Sequence, residues 1–111
     1  MPVRIIPVLF ALMLVSNFSC SQNADPFFAL RNRMVKAQIE ARGITDEKIL
    51  DAFRKVERHK FVLPQYIPYA YADSPLPIDE GQTISQPYIV AFMTDALDLK
   101  RTDKVLEIGT G

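Results

Sequence analysis

The sequence contains few of the residues that build disulfide frameworks and metal centres. Its 111 residues include one cysteine, one histidine and no tryptophan. A single cysteine excludes a disulfide within the chain and a zinc site made of four cysteines. A single histidine likewise excludes a metal site with two histidine ligands, so we expect no metal.

The sequence also has no excess of charge of either sign. Lysine and arginine together number 13, aspartate and glutamate together number 13, and the formal net charge is zero. A protein that binds nucleic acid mainly through charge shows a basic excess, so no nucleic-acid partner is expected. With 49% apolar and 23% charged residues, the composition predicts a globular chain, and the length allows at most one domain.

The longest apolar run lies near the N-terminus, in residues 5–15 (IIPVLFALMLV). It is too short to span a bilayer, which takes roughly 20 apolar residues. Arg4 precedes it and small or polar residues follow, which is typical of a secretory signal. Residues 1–20 are therefore predicted to be a signal peptide, or a lipoprotein signal in which Cys20 is lipidated, and the protein to be exported to the periplasm or lipid-anchored. The alternatives are an apolar extension or a true start at Met34.

Residues 21–103 are predicted to be mainly helical. Asp25 is expected to cap a first helix that ends at Gly43, and Thr45 to cap a second. A third is expected over residues 87–97, with Pro87 in the first helical position. Apolar residues at helical spacing predict the inner face of each helix: Leu30, Met34, Val35, Ala37, Ile39 and Ala41, then Ile49, Leu50, Phe53 and Val56, then Ile89, Val90, Met93, Ala96 and Leu97.

A segment of different composition, residues 61–77, separates the second and third helices. Its four prolines forbid a continuous helix or central strand. It also holds Tyr66, Tyr69 and Tyr71, which a flexible linker would lack. We expect an ordered irregular segment whose tyrosines serve packing.

The final residues, 104–111, combine a short strand with a glycine pair. Residues 104–108 (KVLEI) are predicted to be a strand, followed at once by Gly109, Thr110 and Gly111. A strand that ends in Gly-x-Gly is the usual opening of a nucleotide-binding βαβ unit. Because such strands are buried on both faces and need neighbours, we expect the chain to be the N-terminal piece of a longer protein.

An acidic residue, Glu107, lies two positions before the first glycine of this loop. A pyrophosphate would be repelled by a carboxylate there, whereas S-adenosylmethionine carries a sulfonium and an ammonium group and no phosphate. The loop therefore favours S-adenosylmethionine, with glycines that let the backbone approach the ligand. A structural glutamate and an unusual nicotinamide-binding loop are the alternatives.

A second motif, residues 81–88 (GQTISQPY), is a polar loop that runs directly into the third helix. One interpretation is structural, with Ser85 or Gln86 capping the helix. The other is functional, because free backbone N–H groups and a hydroxyl at a helix start can bind a substrate carboxylate. The two interpretations are compatible.

These two motifs carry a resemblance to a known family. Together with MV at 34–35, QI at 38–39, RGI at 42–44, FV at 61–62, LPI at 76–78 and MT at 93–94, they resemble the protein-L-isoaspartate (D-aspartate) O-methyltransferases from about residue 30 to the end. The resemblance implies an α/β fold, with an N-terminal helical extension and the first strand of a Rossmann-like methyltransferase sheet. It implies methyl transfer from S-adenosylmethionine to isoaspartyl or D-aspartyl residues of damaged proteins, by a monomer whose usual compartment is the cytoplasm.

The resemblance also implies roles for residues of both motifs. The loop over residues 76–87 would bind the substrate, with Ser85 as the catalytic serine. The residues implied to contact substrate are Thr83, Ile84 and Ser85, and those implied to contact the cofactor are Ile84, Glu107, Gly109 and Gly111. Two positions depart from the family pattern: Asp79 stands where glycine is common, and Glu57 where proline is common.

One alternative belongs to another class of protein. Residues 25–99 alone fit a small exported helical interaction module without enzymatic activity, and loss of the tail without loss of fold or partner would favour it. Under the enzymatic interpretation, the ribose and adenine contacts lie beyond Gly111. The 111 residues by themselves are therefore expected to be inactive.

Overall fold

The structure, a computed structural model, describes residues 25–109. Its helices are α1 (Phe28–Met34), α2 (Glu47–Lys55) and α3 (Pro87–Ala96), and its strands are β1 (Leu76–Pro77) and β2 (Thr83–Ile84). Residues 1–20 with Cys20, and Gly111, lie outside the described part. No helix within residues 25–109 is long and apolar enough to cross a membrane.

The first helix begins later than the sequence predicts, and its second half is not α-helical. Asp25 does not cap it directly: its carboxylate accepts a hydrogen bond from the Phe27 N–H at 2.9 Å and forms a turn before α1. After α1 the chain widens into a π-helical turn (Val35–Ile39), then tightens into a 3₁₀ turn (Glu40–Arg42). The C-terminal stop at Gly43 is confirmed, because that residue has the left-handed φ of 98°.

The widened turn changes which side of the first helical segment is buried. Met34, Val35 and Ile39 are buried, whereas Leu30, Ala37 and Ala41 are exposed. The prediction that these last three face the core is therefore wrong. A π-helical turn holds more than the 3.6 residues of an α-helical one, so Ala37 and Ala41, which lie in or after this turn, rotate out of the interface.

The second helix begins one residue later than predicted. The N-cap is Asp46, whose carboxylate accepts a hydrogen bond from the Lys48 N–H at 2.8 Å, and not Thr45. Leu50 is fully buried, whereas Val56, expected on the same inner face, is 53% exposed. Val56 is the C-cap and already has extended backbone angles, so it leaves the helical stripe.

The core lies where the three helices meet the end of the irregular segment. Its buried residues are Met34, Val35, Ile39, Ile44, Leu50, Ala70, Tyr71 and Ala91. Around it, Phe27, Ile49, Phe53, Val62 and Tyr88 are partly buried.

The segment between α2 and α3 is ordered, as its prolines and tyrosines predict. It contains 3₁₀ turns at Arg58–Phe61 and Pro64–Tyr69. Tyr71 is buried and packs as expected, but Tyr69 is 59% exposed.

The hydroxyl group of Tyr71 is a meeting point for two side chains. It lies 2.8 Å from Nδ1 of His59 and 3.3 Å from Nη1 of Arg31. His59 also stacks on Phe27, with 4.1 Å between the ring centroids. His59 is therefore half-buried, with ring contacts to Phe27 and Tyr71.

The third helix is confirmed from Pro87, with Leu97 as its C-cap. Pro87 and Ala91 are buried, but Ile89, Met93 and Leu97 are 39%, 51% and 60% exposed. The predicted inner face is therefore largely open. Within residues 25–109 this helix packs on α2 and the π-helical turn, and these partners cover only one side of it.

Residues 104–108 form no strand in the structure, in contrast to the sequence expectation. Leu106 is 83% exposed and Ile108 is 88% exposed. The physical reason is pairing: a strand needs a neighbour for its backbone groups, and β1 and β2, the two strands described, pair with each other.

Candidate functional site

The segment predicted as a substrate loop folds as a tight hairpin. β1 and β2 are antiparallel, with Leu76 opposite Ile84 and Pro77 opposite Thr83. The Ile78 N–H continues the pairing by donating to the carbonyl of Gln82 at 2.9 Å. The hairpin fixes the backbone of Thr83 and Ile84 immediately before Ser85.

The turn of this hairpin accommodates the unusual Asp79. The left-handed positions are Glu80, with a φ of 58°, and Gly81, with a φ of 66°. Asp79 has no positive φ, so a residue with a side chain fits at this position without backbone strain. Its carbonyl accepts a hydrogen bond from the Gln82 N–H at 3.1 Å and closes the turn.

Between the hairpin and α3, Gln86 takes the N-cap position but does not cap with its side chain. Its amide instead donates to Oδ1 of Asp73 at 2.6 Å, and Arg42 forms an ion pair with the same carboxylate. Hydrogen bonds from Gln86 and Arg42 lower the pKa of Asp73 below its ordinary value. The guanidinium of Arg42 also lies 5.0 Å from the centre of the Tyr88 ring, which ties the start of α3 to the end of the first helical segment.

The hairpin and the C-terminal tail border one open groove of about 610 Å³. It brings together five of the residues predicted from the sequence, namely Thr83, Ile84, Ser85, Glu107 and Gly109. The remaining lining residues are Met34, Ala52, Phe53, Val56, Arg58, Phe61, Ile78, Val90 and Met93. Ser85 and Glu107, which lie 22 positions apart in the sequence, therefore border a single, mainly apolar groove.

Ser85 is half-buried at this groove. Within residues 25–109 its hydroxyl makes no hydrogen bond, while its carbonyl accepts one from Nη2 of Arg58 at 2.8 Å. The capping interpretation of its hydroxyl is therefore not realised here. The backbone is held in place while the hydroxyl has its bonding capacity left for a ligand.

Arg58 is the charged residue of this groove that the sequence did not reveal. It is 7% exposed, and its Nε donates to the carbonyl of Ala70 at 2.8 Å. Burial lowers the pKa of Arg58 from its ordinary value. In the sequence it lies in the charged run ERHK (residues 57–60), which is typical of a solvated surface, so no local pattern identifies it.

The tail side of the groove fits a ligand with a positive charge. Glu107 supplies a carboxylate, and Gly109 has a φ of 81°, a conformation that side-chain-bearing residues rarely adopt. The volume lies within the range of roughly 300–1,000 Å³ usual for small-molecule sites. These features suit a sulfonium or ammonium group beside Glu107. In the described part of the chain, no group of three or more histidine, cysteine, aspartate or glutamate residues could hold a metal ion.

Comparison with known proteins gives a consistent result. A family profile for protein-L-isoaspartate (D-aspartate) O-methyltransferases matches residues 29–111. A protein-L-isoaspartate O-methyltransferase of a Picosynechococcus species is 60% identical over 88 residues, which are 79% of this chain and 40% of that relative. One of Methanoculleus marisnigri is 59% identical over 88 residues, with the same coverage. A protein-L-isoaspartate O-methyltransferase 2 of Shewanella sediminis is 52% identical over 89 residues, 80% of this chain and 36% of the relative.

The matched relatives are thus methyltransferases by name. The chain belongs to the protein-L-isoaspartate (D-aspartate) O-methyltransferase family. It spans about 40% of the length of the Picosynechococcus and Methanoculleus relatives. The three helices and the small sheet are consistent with the N-terminal part of that family's methyltransferase fold, which confirms the fold class expected from the resemblance.

Proposed function

We propose that the protein carrying these residues transfers a methyl group from S-adenosylmethionine to the free carboxylate of L-isoaspartyl or D-aspartyl residues in damaged proteins. The observation that carries the proposal is the shared groove, which is lined both by Thr83, Ile84 and Ser85 and by Glu107 and Gly109. Family membership supports the same reaction. In the family's chemistry, the methyl ester cyclises to a succinimide, whose hydrolysis returns some normal aspartate.

The substrate itself supplies the nucleophile in this proposal. A carboxylate with an ordinary pKa of roughly 4 is deprotonated at neutral pH, so no general base is required. The cofactor supplies an electrophilic methyl group on a sulfonium. The protein then has to hold the attacking oxygen in line with the methyl carbon and the sulfur, which is catalysis by proximity and orientation.

Ser85 is proposed to orient the substrate carboxylate. Its hydroxyl can donate one hydrogen bond to a carboxylate oxygen, and within residues 25–109 it has no competing partner. Thr83 and Ile84, held by the hairpin, are proposed to contact the peptide, and Ile84 also the cofactor.

Glu107, Gly109 and Gly111 are proposed to hold the methionine end of the cofactor. The carboxylate of Glu107 attracts a cationic group, and the left-handed Gly109 turns the backbone beside it. The role of Gly111 is proposed from the family resemblance alone. The residues in the structure fit the cofactor on chemical grounds because the groove combines an acidic group with an apolar lining.

Export is proposed separately, from the sequence of residues 1–20. An exported enzyme would act on isoaspartyl residues of envelope proteins, and it would need S-adenosylmethionine outside the cytoplasm. If Cys20 is lipidated, the membrane becomes a further partner. Cell fractionation of the tagged protein and of its Cys20→Ser variant tests this. Wild type in the membrane fraction with the variant released supports lipidation, whereas both in the cytosol overturns export.

The central experiment measures methyl transfer by the complete product of the gene. Purified protein is mixed with S-adenosylmethionine carrying a labelled methyl group and with a peptide containing one isoaspartyl residue. The same peptide with an ordinary aspartyl residue is the control. Labelling of the isoaspartyl peptide alone supports the proposal, and a folded protein that labels neither peptide overturns it.

The role of Ser85 is tested in the same assay with two serine variants. Ser85→Ala is expected to lower kcat by about ten- to a hundred-fold, the cost of poorer alignment. Ser74→Ala is the matched control, because Ser74 precedes the hairpin and does not line the groove.

We expect the 111 residues alone, at about 40% of the relatives' length, to show no methyl transfer in the same assay.

A further inference from the structure

Within residues 25–109, Arg58 differs from the other arginines because it is buried and yet forms no ion pair. Arg31, Arg42 and Arg54 each form an ion pair with an aspartate or glutamate. Arg58 is nearly as buried as Arg31, with 7% and 5% of each residue exposed, yet within residues 25–109 it has no acidic partner. Burying a charge costs free energy unless polar partners compensate. The two hydrogen bonds that Arg58 donates are therefore the interactions that hold its charge in the interior.

Both of those bonds go to backbone carbonyls. Nε donates to Ala70 and Nη2 donates to Ser85, each at 2.8 Å. Ala70 is fully buried in the core. One rigid guanidinium group thus joins a fixed point of the core to the residue proposed to orient the substrate.

The backbone at Ser85 has little other support. β2 ends at Ile84 and α3 begins at Pro87, so Ser85 lies in the junction, outside both the hairpin pairing and the helical turns. A hydrogen bond to its carbonyl restrains the peptide plane that follows its Cα, and therefore the direction of the Cα–Cβ bond from which the hydroxyl extends. A charged donor makes this restraint stronger than a neutral donor would.

We propose that Arg58 is a positioning residue for Ser85: by anchoring the Ser85 carbonyl to the core, it sets the hydroxyl where the substrate carboxylate is held. This inference rests on the proposed function. It explains why an arginine occupies this position, because a planar fork can bond two separate carbonyls at once in a fixed geometry. A lysine ammonium keeps the charge but loses that geometry.

The test is a double-mutant cycle between Arg58→Lys and Ser85→Ala in the complete gene product, with kcat for an isoaspartyl peptide as the readout. Each single variant is expected to lower kcat by about ten- to a hundred-fold. If Arg58 acts through the serine hydroxyl, Arg58→Lys should lower kcat by less than about two-fold in the Ser85→Ala background. The affinity for S-adenosylmethionine, measured by calorimetry, should stay within about two-fold, because neither change alters a group proposed to bind the cofactor's charge.

Arg31→Lys is the matched control. Arg31 is also buried and donates its Nε to a backbone carbonyl, that of Arg54, at 2.6 Å, but it does not line the groove. We expect a lower melting temperature in both lysine variants and an unchanged kcat in Arg31→Lys, assayed well below the melting temperatures. If Arg58→Lys does not fold, Arg58→Gln replaces it in the cycle, since an amide can still donate to one carbonyl.

The outcomes separate the two proposals. Effects of Arg58→Lys and Ser85→Ala that multiply, or a wild-type kcat in Arg58→Lys, overturn the positioning role while the methyl transfer stands. An equal loss of kcat in Arg31→Lys also overturns it, because general destabilisation then accounts for the effect. A folded wild-type protein without activity refutes the proposed function itself.

Discussion

The helical core around Leu50 and the tail over residues 97–109 are both rich in apolar side chains, but only the core buries them. Val35, Ile39 and Leu50 are at most 1% exposed, whereas Leu106 and Ile108 are more than 80% exposed. The difference does not lie in hydrophobicity. A helix satisfies its own backbone hydrogen bonds and needs only a neighbour for one face, while a strand needs a neighbouring strand to pair with its backbone groups before it can be buried.

The two sides of the groove differ in the same way, one being packed on the core and the other exposed. The hairpin side rests on the core through Arg58, Ala70 and the short sheet. The tail side, with Glu107 and Gly109, is exposed. One half of the candidate site is therefore held by packing within the described residues, and the other half is held by the chain's local conformation.

The largest expected effect on stability comes from the core. Leu50→Ala in the 111-residue chain should lower the free energy of unfolding by about 2–5 kcal/mol, since it removes a fully buried side chain and leaves a cavity. Urea denaturation followed by circular dichroism measures it. Val56→Ala, at a position 53% exposed in the next turn, is the control and should cost much less. Equal costs at both positions would contradict the burial described for α2.

An intermediate effect is expected at the start of α2. Asp46→Ala should cost about 1 kcal/mol because it removes the acceptor for the Lys48 N–H. Thr45→Ala, one residue earlier, should change stability by less than about 0.5 kcal/mol. The same denaturation experiment distinguishes them, and a larger loss at Thr45 would restore the cap position predicted from the sequence.

The smallest effect is expected in the tail. Leu106→Ser in the 111-residue chain should alter the free energy of unfolding by no more than about 0.5 kcal/mol, because the side chain is already 83% exposed. Thermal unfolding of the two proteins side by side is sufficient. A loss of several kcal/mol would show that the tail is packed and would remove the contrast with the core.

Local sequence signals identified the parts of the fold that depend on neighbouring residues. Gly43 as a helix stop and Pro87 as a helix start are both confirmed, since each acts through its own backbone angles. The predictions of burial and strand pairing failed where they depend on a neighbouring element that is distant in the sequence. The exposed residues of α3 and the unpaired residues 104–108 had the right pattern for burial but have no partner within residues 25–109.

The candidate site divides in the same way. Both motifs were visible in the sequence, and the structure brings five of their residues to one groove. Arg58 and His59 were not visible, because a charged run such as ERHK gives no indication of burial. Their environment is created by Ala70, Tyr71 and Ser85, which lie 12 or more positions further along the chain.

The sequence by itself determined the family, the number and approximate positions of the helices, and the two motifs, because each depends on residue types at short and fixed spacing. Only the tertiary structure decided which faces are buried, that the polar loop is a hairpin, and that a buried arginine supports Ser85. These features depend on contacts between residues far apart in the chain, where close packing and the pairing of every buried polar group leave few arrangements open.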